Sequence, residues 1–217
     1  MFGEKTPLIF EKIRAGNLVF RKILLDLEIA QNWIKLNQFI FEFLGGRIQG
    51  SVGLAFNPLP IALKTDIHIS RLNTRKLIED FPNLRSKATS WALFASPFID
   101  ATLHIQHNMV SKDIEGQIDI TSIGVEQLKM ILYYIDPDEK DPSLRGLISM
   151  LDIGGVVADV DLVQIPIQNG LMDLDIDLNF LAAPLPIPKI ERIPIGQLID
   201  NYTSEAAPVD VVEDKSG

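Results

Sequence analysis

The sequence contains no cysteine among its 217 residues. This absence excludes disulfide bonds, metal sites built from thiolates and cysteine nucleophiles. Long apolar runs are also missing, because no stretch reaches the eighteen or so uncharged apolar residues that a membrane-spanning helix needs. The first seven residues lack the basic start and apolar core of a secretory signal. Two interpretations follow: a cytosolic protein, or a piece whose targeting segment lies elsewhere.

The sequence also lacks runs of consecutive Lys and Arg residues. The chain has 20 Lys and Arg residues against 29 Asp and Glu residues, a formal net charge of −9. Its basic residues are scattered, with no more than two adjacent. Phosphate backbones are bound by clustered Lys and Arg, so we expect no nucleic-acid partner.

Histidine is scarce, and the three histidines are poorly placed for metal binding. His104 and His107 lie three residues apart on a predicted strand, which directs their side chains to opposite faces. His68 lies on a predicted strand between Ile67 and Ile69, with no acidic residue directly beside it in the sequence. The acidic cluster at residues 136–141 lacks the glycine and the final glutamate of an EF-hand loop, so Asp141 is better explained as a helix cap. No metal site is predicted.

Catalytic motifs are missing as well. The sequence has neither a nucleotide-binding glycine loop nor a G-x-S-x-G nucleophile elbow. Asp173, Asp175 and Asp177 alternate with apolar residues, which indicates a solvated strand face rather than converging catalytic carboxylates. We therefore predict that the chain is not an enzyme and uses no cofactor.

What the sequence does have is period-two alternation of apolar and polar residues, which predicts antiparallel strands. The predicted strands lie at residues 23–29, 38–43, 47–56, 61–69, 99–105, 114–120, 165–167 and 174–180. The first four form a meander, and Asn169-Gly170 predicts a tight hairpin between the last two. Gly50 and Gly53 predict a bend, a bulge or a close backbone approach.

Three short amphipathic helices are predicted between the strands. The first begins at Asn73 or Thr74 and ends before Pro82. The second carries an apolar stripe over residues 125–135, and the third begins at Asp141-Pro142 and breaks at Gly154-Gly155. The pattern also allows a last helix at residues 195–202 and leaves residues 86–94 ambiguous between helix and strand.

One strand-to-helix unit occurs twice, since residues 67–77 align with residues 118–128 without a gap. This repeat favours a β-dominated α+β fold: a strongly curved antiparallel sheet, like a taco or groove, with a few short amphipathic helices. We expect a single domain over residues 1–202, made of units at about 17–82 and 97–152 and a closing hairpin at 156–180. The acidic tail at residues 203–217 is expected to be disordered.

The apolar face of the predicted sheet exceeds what three short helices can cover. One explanation is a sandwich or a helix-covered core. The other is a curved sheet whose concave side stays partly open as a trough for acyl chains. The candidate lining residues of this trough are Phe39, Phe41, Phe43, Ile48, Val52, Leu54, Phe56, Leu63, Ile67, Leu103 and Ile105.

Several segments resemble the AsmA-like proteins of Gram-negative envelopes, which are relatives of the bridge-like lipid-transfer proteins. The resemblance lies in "FEFLGGRIQGSVGL", "IHISRLNTRKLI", "IEGQIDITSIGVEQLKMI" and the closing "VQIPIQNGLMDLDIDL", and it covers most of residues 17–180. It implies a taco-shaped sheet, an N-terminal inner-membrane anchor, a periplasmic location, and a role in lipid transport or outer-membrane homeostasis. The family offers no catalytic residues to carry over.

The sequence thus supports two functional hypotheses. The first is a non-enzymatic module of the bacterial envelope that binds or transfers phospholipid or another acyl lipid. It would belong to an inner-membrane-anchored protein whose anchor is not in this chain. The second is an envelope scaffold with a closed core that recruits protein partners through its sheet edges.

Overall fold

The structure, a computed structural model, describes residues 7–15, 18–56, 61–76, 98–136, 140–154, 158–180, 183–185, 187 and 189–196. Within these ranges the chain is dominated by strands. They are β1 (Leu8–Ala15), β2 (Leu18–Ala30), β3 (Trp33–Phe43), β4 (Gly46–Ala55), β5 (Ala62–Asn73), β6 (Phe98–Asn108), β7 (Ile114–Ile123), β8 (Ala158–Gln168), β9 (Leu171–Phe180), β10 (Ala183–Leu185) and β11 (Ile190–Pro194).

All of these strands form one antiparallel sheet in which each strand from β1 to β9 pairs with the next along the chain. β9 is followed by β10 at one end of its free edge, and β11 pairs with the other end of that edge. The sheet does not close on itself within the described residues, because β1 pairs with β2 alone. The predicted β-dominated antiparallel fold and its four-stranded meander are confirmed.

Strand prediction succeeded where alternation is regular. β2 to β9 all fall on predicted strands, and the hairpin at Asn169-Gly170 is present with φ values of 54° and 73°. β1 was missed because its apolar residues Phe10 and Ile13 are three apart, which breaks the period of two. The expected ambiguity at residues 86–94 and the tail at 203–217 lie outside the described residues.

Two helices connect β7 to β8. α1 spans Val125–Ile135, and α2 spans Pro142–Gly154. The predicted N-cap of α2 is confirmed, since Asp141 Oδ1 accepts the backbone N–H groups of Ser143 at 2.7 Å and Leu144 at 3.2 Å. The predicted helix after β5 begins with a helical turn at residues 74–76.

The strand-to-helix unit recurs in the structure. In both copies, a residue near the end of the strand lies in the left-handed region: Arg71 within β5 and Ser122 within β7, each with φ of 54°. Helical residues follow three positions later. In the first copy, Asn73 Oδ1 caps the turn by accepting the N–H of Arg75 at 3.0 Å. The second copy begins at Gly124 without a side-chain cap. Equivalent backbone geometry therefore arises from different side chains.

The register sends the apolar residues of successive strands to one side of the sheet. Directly paired residues in an antiparallel sheet share a face, and Gly50 pairs with both Phe39 and Ile67. Ile67 in turn pairs with Leu103, which pairs with Ile118. The same side continues through β8 and β9. We call it the apolar face, and the other side the polar face.

Gly50 allows a close approach on the apolar face. A Cβ atom there would overlap the backbone carbonyl oxygen of Asp66 and would lie 2.9 Å from Cζ of Phe39. The Phe39 ring packs over the glycine and is only 6% exposed. At Gly53 the nearest atom to an added Cβ would be Cγ of Lys35, 3.9 Å away, and β4 is not bulged there. Of the features expected at these glycines, the close approach is present at Gly50, whereas Gly53, on the polar face, shows neither a close approach nor a bulge.

Alanine substitutions at the two glycines should separate these roles. Gly50→Ala forces backbone atoms apart and should lower the free energy of unfolding by about 1–3 kcal/mol. Gly53→Ala is the matched control on the same strand and should be neutral or slightly stabilising, because alanine restricts the unfolded chain. Urea denaturation measures both values. Equal effects at the two positions would contradict the close approach.

Candidate functional site

The candidate site is the apolar face, and the structure brings the predicted lining residues together on it. In β3 and β4, Phe41 pairs with Ile48, and the row continues to Ile69 of β5. A second row joins Leu54 to Leu63. Leu103 and Ile105 continue the face onto β6. Phe56 lies one residue beyond β4, where its N–H donates to the carbonyl of Asn32 at 2.8 Å.

One half of this face is covered by helices. Leu128 and Leu132 of α1 are 0% exposed, and Leu151 of α2 is 1% exposed. They pack in one core cluster with strand residues such as Val163 and Leu174. Amphipathic helices lying on β7 to β9 thus bury the apolar side of those strands. We call this region the covered half.

The other half, from β1 to β5, has no helix of comparable size over it among the described residues. Its predicted lining residues are mostly half-buried, with Phe39 as the buried exception. Leu103 and Ile105 on β6 form the border, where they pack against the covered core. We call β1 to β5 the uncovered half. Large apolar side chains on it remain exposed by about 40% or more: Leu8, Phe10, Leu27, Ile29 and Ile34.

Sequence reasoning missed the contribution of β1 and β2 to this face. Leu25 pairs with both Leu8 and Phe39, and Leu27 pairs with Leu36. The alternation in β2 was visible, but its register shifts near Lys22, which has φ of 50°, and again after Asp26. Such bulges change which residues share a side, and no short sequence signal fixes their position.

Four phenylalanine rings pack against one another along one border of the uncovered half. The rings of Phe20 and Phe43 are stacked with centroids 5.0 Å apart and an interplanar angle of 13°. Phe41 meets Phe20 edge-on at 5.5 Å, and Phe39 lies 5.9 Å from Phe41. These contacts hold four rings in a fixed arrangement, each pair contributing about 0.5–1.5 kcal/mol beyond area burial.

A buried lysine on α1, paired with an exposed aspartate on α2, ties the two helices of the covered half together. Lys129 of α1 is 8% exposed in its side chain and lies 2.7 Å from Asp152 of α2 and 3.2 Å from Glu126. Burial on its own would lower the pKa of Lys129, but the hydrogen bonds and charges of the two carboxylates outweigh it and raise that pKa above its ordinary value. Glu126 Oε2 has no hydrogen-bond partner within the described part of the chain.

On the polar face, Ser51, Asp66 and His104 lie together but do not form a nucleophilic triad. His104 Nδ1 lies 2.7 Å from Asp66 Oδ1, and Ser51 Oγ donates to the other Asp66 oxygen at 3.5 Å. The carboxylate therefore sits between serine and histidine, whereas a nucleophilic triad needs histidine in the middle. The pair joins strands 38 residues apart in sequence, so it could not be predicted locally. His107 pairs with Leu63 on the apolar side, so His104 and His107 lie on opposite faces, as predicted.

Two aspartates stabilise bulges at strand edges. The N–H of Arg71 donates to Asp100 at 2.6 Å, and the N–H of Arg192 donates to Asp173 at 3.0 Å. Both arginines have positive φ. The backbone hydrogen bond from Arg192, aided by Lys189, lowers the pKa of Asp173. The predicted solvated row at Asp173, Asp175 and Asp177 is present, and its first member also anchors β11.

Neither metal ligation nor membrane spanning has support in the described ranges. They contain no group of three or more histidine and acidic side chains arranged to hold a metal ion. Within those same ranges, no helix has the length and apolarity needed to cross a bilayer.

Searches against protein-family models, curated proteins and solved structures find no match to this chain. The function must therefore be argued from the geometry of the apolar face.

Replacing Lys129 with methionine should destabilise the covered half. Lys129→Met leaves Glu126 partly buried without its cation and should lower the free energy of unfolding at neutral pH by about 1–3 kcal/mol. Because the folded pKa of Lys129 lies above the unfolded value near 10.5, its contribution is complete below that pH and is lost as the pH rises through the folded pKa.

The measurement is urea denaturation of wild type and variant between pH 7 and strongly alkaline pH. The difference between the two proteins should shrink at the alkaline end. The exposed lysine Lys64 provides the control Lys64→Met, which should change stability by less than about 0.5 kcal/mol. A difference between wild type and Lys129→Met that grows with pH would contradict the ion-pair account.

Proposed function

We propose that the chain is a non-enzymatic lipid-handling module that holds acyl chains against the uncovered half of its apolar face. The observation that carries this proposal is the unequal cover of one continuous face. The strands β7 to β9 are buried under α1 and α2, whereas β1 to β5 present half-exposed aliphatic and aromatic side chains among the described residues. A surface of this kind gains free energy by binding an apolar partner.

An acyl chain suits this surface in shape and chemistry. The rows of side chains from Leu8 to Leu103 run across neighbouring strands without an intervening charge on that side. Each buried methylene contributes about 0.8 kcal/mol, so a few well-packed methylenes are enough for measurable binding. No polar group is needed to orient a reaction, which fits the proposal of binding without catalysis.

We further propose that the sheet is strongly curved, with the apolar face on the concave side. Gly50 and Gly116 support this, because a Cβ on either would overlap a carbonyl oxygen of the neighbouring strand, that of Asp66 or His104. Neighbouring backbone therefore leans over the apolar side at β4–β5 and at β6–β7. Curvature of this sense would turn the uncovered half into a trough.

The cellular setting of the proposal rests on the AsmA-like resemblance. We propose that the module works in the periplasm as part of an inner-membrane-anchored protein and that its ligand is a phospholipid or a similar acyl lipid. The net charge of −9 and the absence of charged residues from the apolar-face rows favour a ligand held by its apolar part rather than by its headgroup phosphate.

A second candidate function is favoured by the free edge of β1. This strand pairs with β2 alone in the described chain, and Ile9 and Ile13 on it are exposed by 72% and 40%. Unpaired backbone groups on such an edge can accept a strand from a protein partner. Binding of a hydrophobic fluorophore distinguishes the two functions. Its fluorescence should increase with a protein that has an open trough and should not change with a closed scaffold.

Substitution of Ile67 tests the lipid proposal. Ile67 lies on the apolar face between Gly50 and Leu103. Ile67→Asp places a carboxylate where an acyl chain would lie and should reduce lipid binding at least about tenfold, because burying an unpaired charge is costly. Native mass spectrometry of detergent-free protein after exposure to phospholipid measures the bound fraction.

The neighbouring residue provides the control. His68 lies on the polar face opposite Gln49 and Thr102, so His68→Asp should bind lipid as wild type does. Circular dichroism establishes that both variants are folded. The proposal is wrong if wild-type protein retains no lipid, or if folded Ile67→Asp binds as much lipid as folded His68→Asp.

A further inference from the structure

Several turns meet at one end of the sheet and form a continuous border. The described residues at this end are 29–34, 54–56, 61–63, 108–114 and 168–171, and we call them the neutral rim. Backbone hydrogen bonds join its neighbouring turns: Phe56 N–H to Asn32 O at 2.8 Å, Met109 N–H to Ile61 O at 2.8 Å, and Gly170 N–H to Ile114 O at 3.0 Å. The rim is therefore one connected surface.

Large apolar side chains project from the neutral rim. Met109 and Val110 form the tip of the turn after β6 and are 49% and 62% exposed. That turn is held by Asn108, whose Oδ1 accepts the N–H of Val110 at 3.0 Å. Ile29 and Ile34, 69% and 39% exposed, add to the rim from the turn between β2 and β3. These exposed apolar side chains, two of them on a turn fixed by hydrogen bonds, offer a surface that insertion into a membrane would remove from water.

The charge distribution indicates which partner this is. Lys112 and Asp113 are the only charged residues in the ranges of the neutral rim, and they cancel. Among the next residues on the polar face, Glu28, Lys35, Lys64 and Glu115 cancel, and Asp173 pairs with Lys189. The opposite end of the sheet is densely charged, with Arg14, Arg21, Lys22, Glu42, Arg47, Arg71, Arg75, Lys76, Asp100 and Asp161. Among these residues, seven are basic and three are acidic, so this end carries excess positive charge whereas the neutral rim carries none.

We infer that the neutral rim docks on the surface of an uncharged, zwitterionic lipid bilayer, with Met109 and Val110 inserted among the acyl chains. An anionic surface would favour a basic rim, and this one carries no net charge. Trp33 is half-buried at the same border, where its amphipathic ring suits the headgroup level. The apolar face reaches the rim at Ile34 and Leu54, so a docked lipid would meet the proposed trough directly. This inference rests on the proposed function.

The test is flotation of the protein with phosphatidylcholine vesicles. Wild-type protein should float with them at both low and high salt, since apolar insertion is not screened. The double variant Met109→Asp/Val110→Asp should lower the partition constant at least about tenfold. Ile9→Asp is the matched control, because Ile9 is 72% exposed on the polar face of β1, away from the rim.

Three outcomes would overturn the inference: no flotation of the wild type, equal flotation of the double variant and Ile9→Asp, or binding that requires phosphatidylglycerol and disappears in salt. If the rim instead joins two copies of the chain, the wild type should be a dimer in the absence of vesicles and the double variant a monomer. That result would also overturn the inference.

Lysophosphatidylcholine supplied below its micelle concentration tests the trough separately. The double variant should bind this soluble lipid as wild type does, so loss of docking and failure of the trough are distinguishable.

Discussion

In a regular antiparallel sheet, every second side chain of a strand points to the same side. When the register is kept from strand to strand, the apolar side chains of neighbouring strands therefore form one continuous surface. Here that surface runs from β1 to β9. It must be removed from water to stabilise the fold, and α1 and α2 bury only the part over β7 to β9. The candidate site follows from this mismatch between a long apolar face and a short helical cover.

The covered and uncovered halves have different roles in this account. The covered half supplies the stable core, with Leu128, Leu132 and Val163 fully buried and Lys129 joining the two helices. It holds the later strands in register, and through β6 it fixes the position of β5. The uncovered half can then keep apolar side chains half-exposed without losing its structure. Stability and the proposed ligand binding thus belong to different halves of one sheet.

Much of this arrangement was predictable from the sequence. Regular alternation located β2 to β9, and Asn169-Gly170 and Asp141-Pro142 marked a hairpin and a helix start. The shared side of the proposed lining residues also followed from alternation. Other features depend on contacts distant in sequence: β1 shows no period of two, the bulge at Lys22 has no local signature, and Asp66 meets His104 only across two paired strands. The neutral rim needed the full register, because its turns are separated by up to about 140 residues.

The central claim, that acyl chains lie on the uncovered half, is tested most directly by mapping cross-links from a phospholipid with a photoreactive group in its acyl chain. The account predicts adducts on apolar-face residues of β2 to β6, such as Leu36, Val52 and Ile67, and few on their polar-face neighbours Ser51 and His68. Adducts spread equally over both faces, or none at all on β2 to β6, would contradict it.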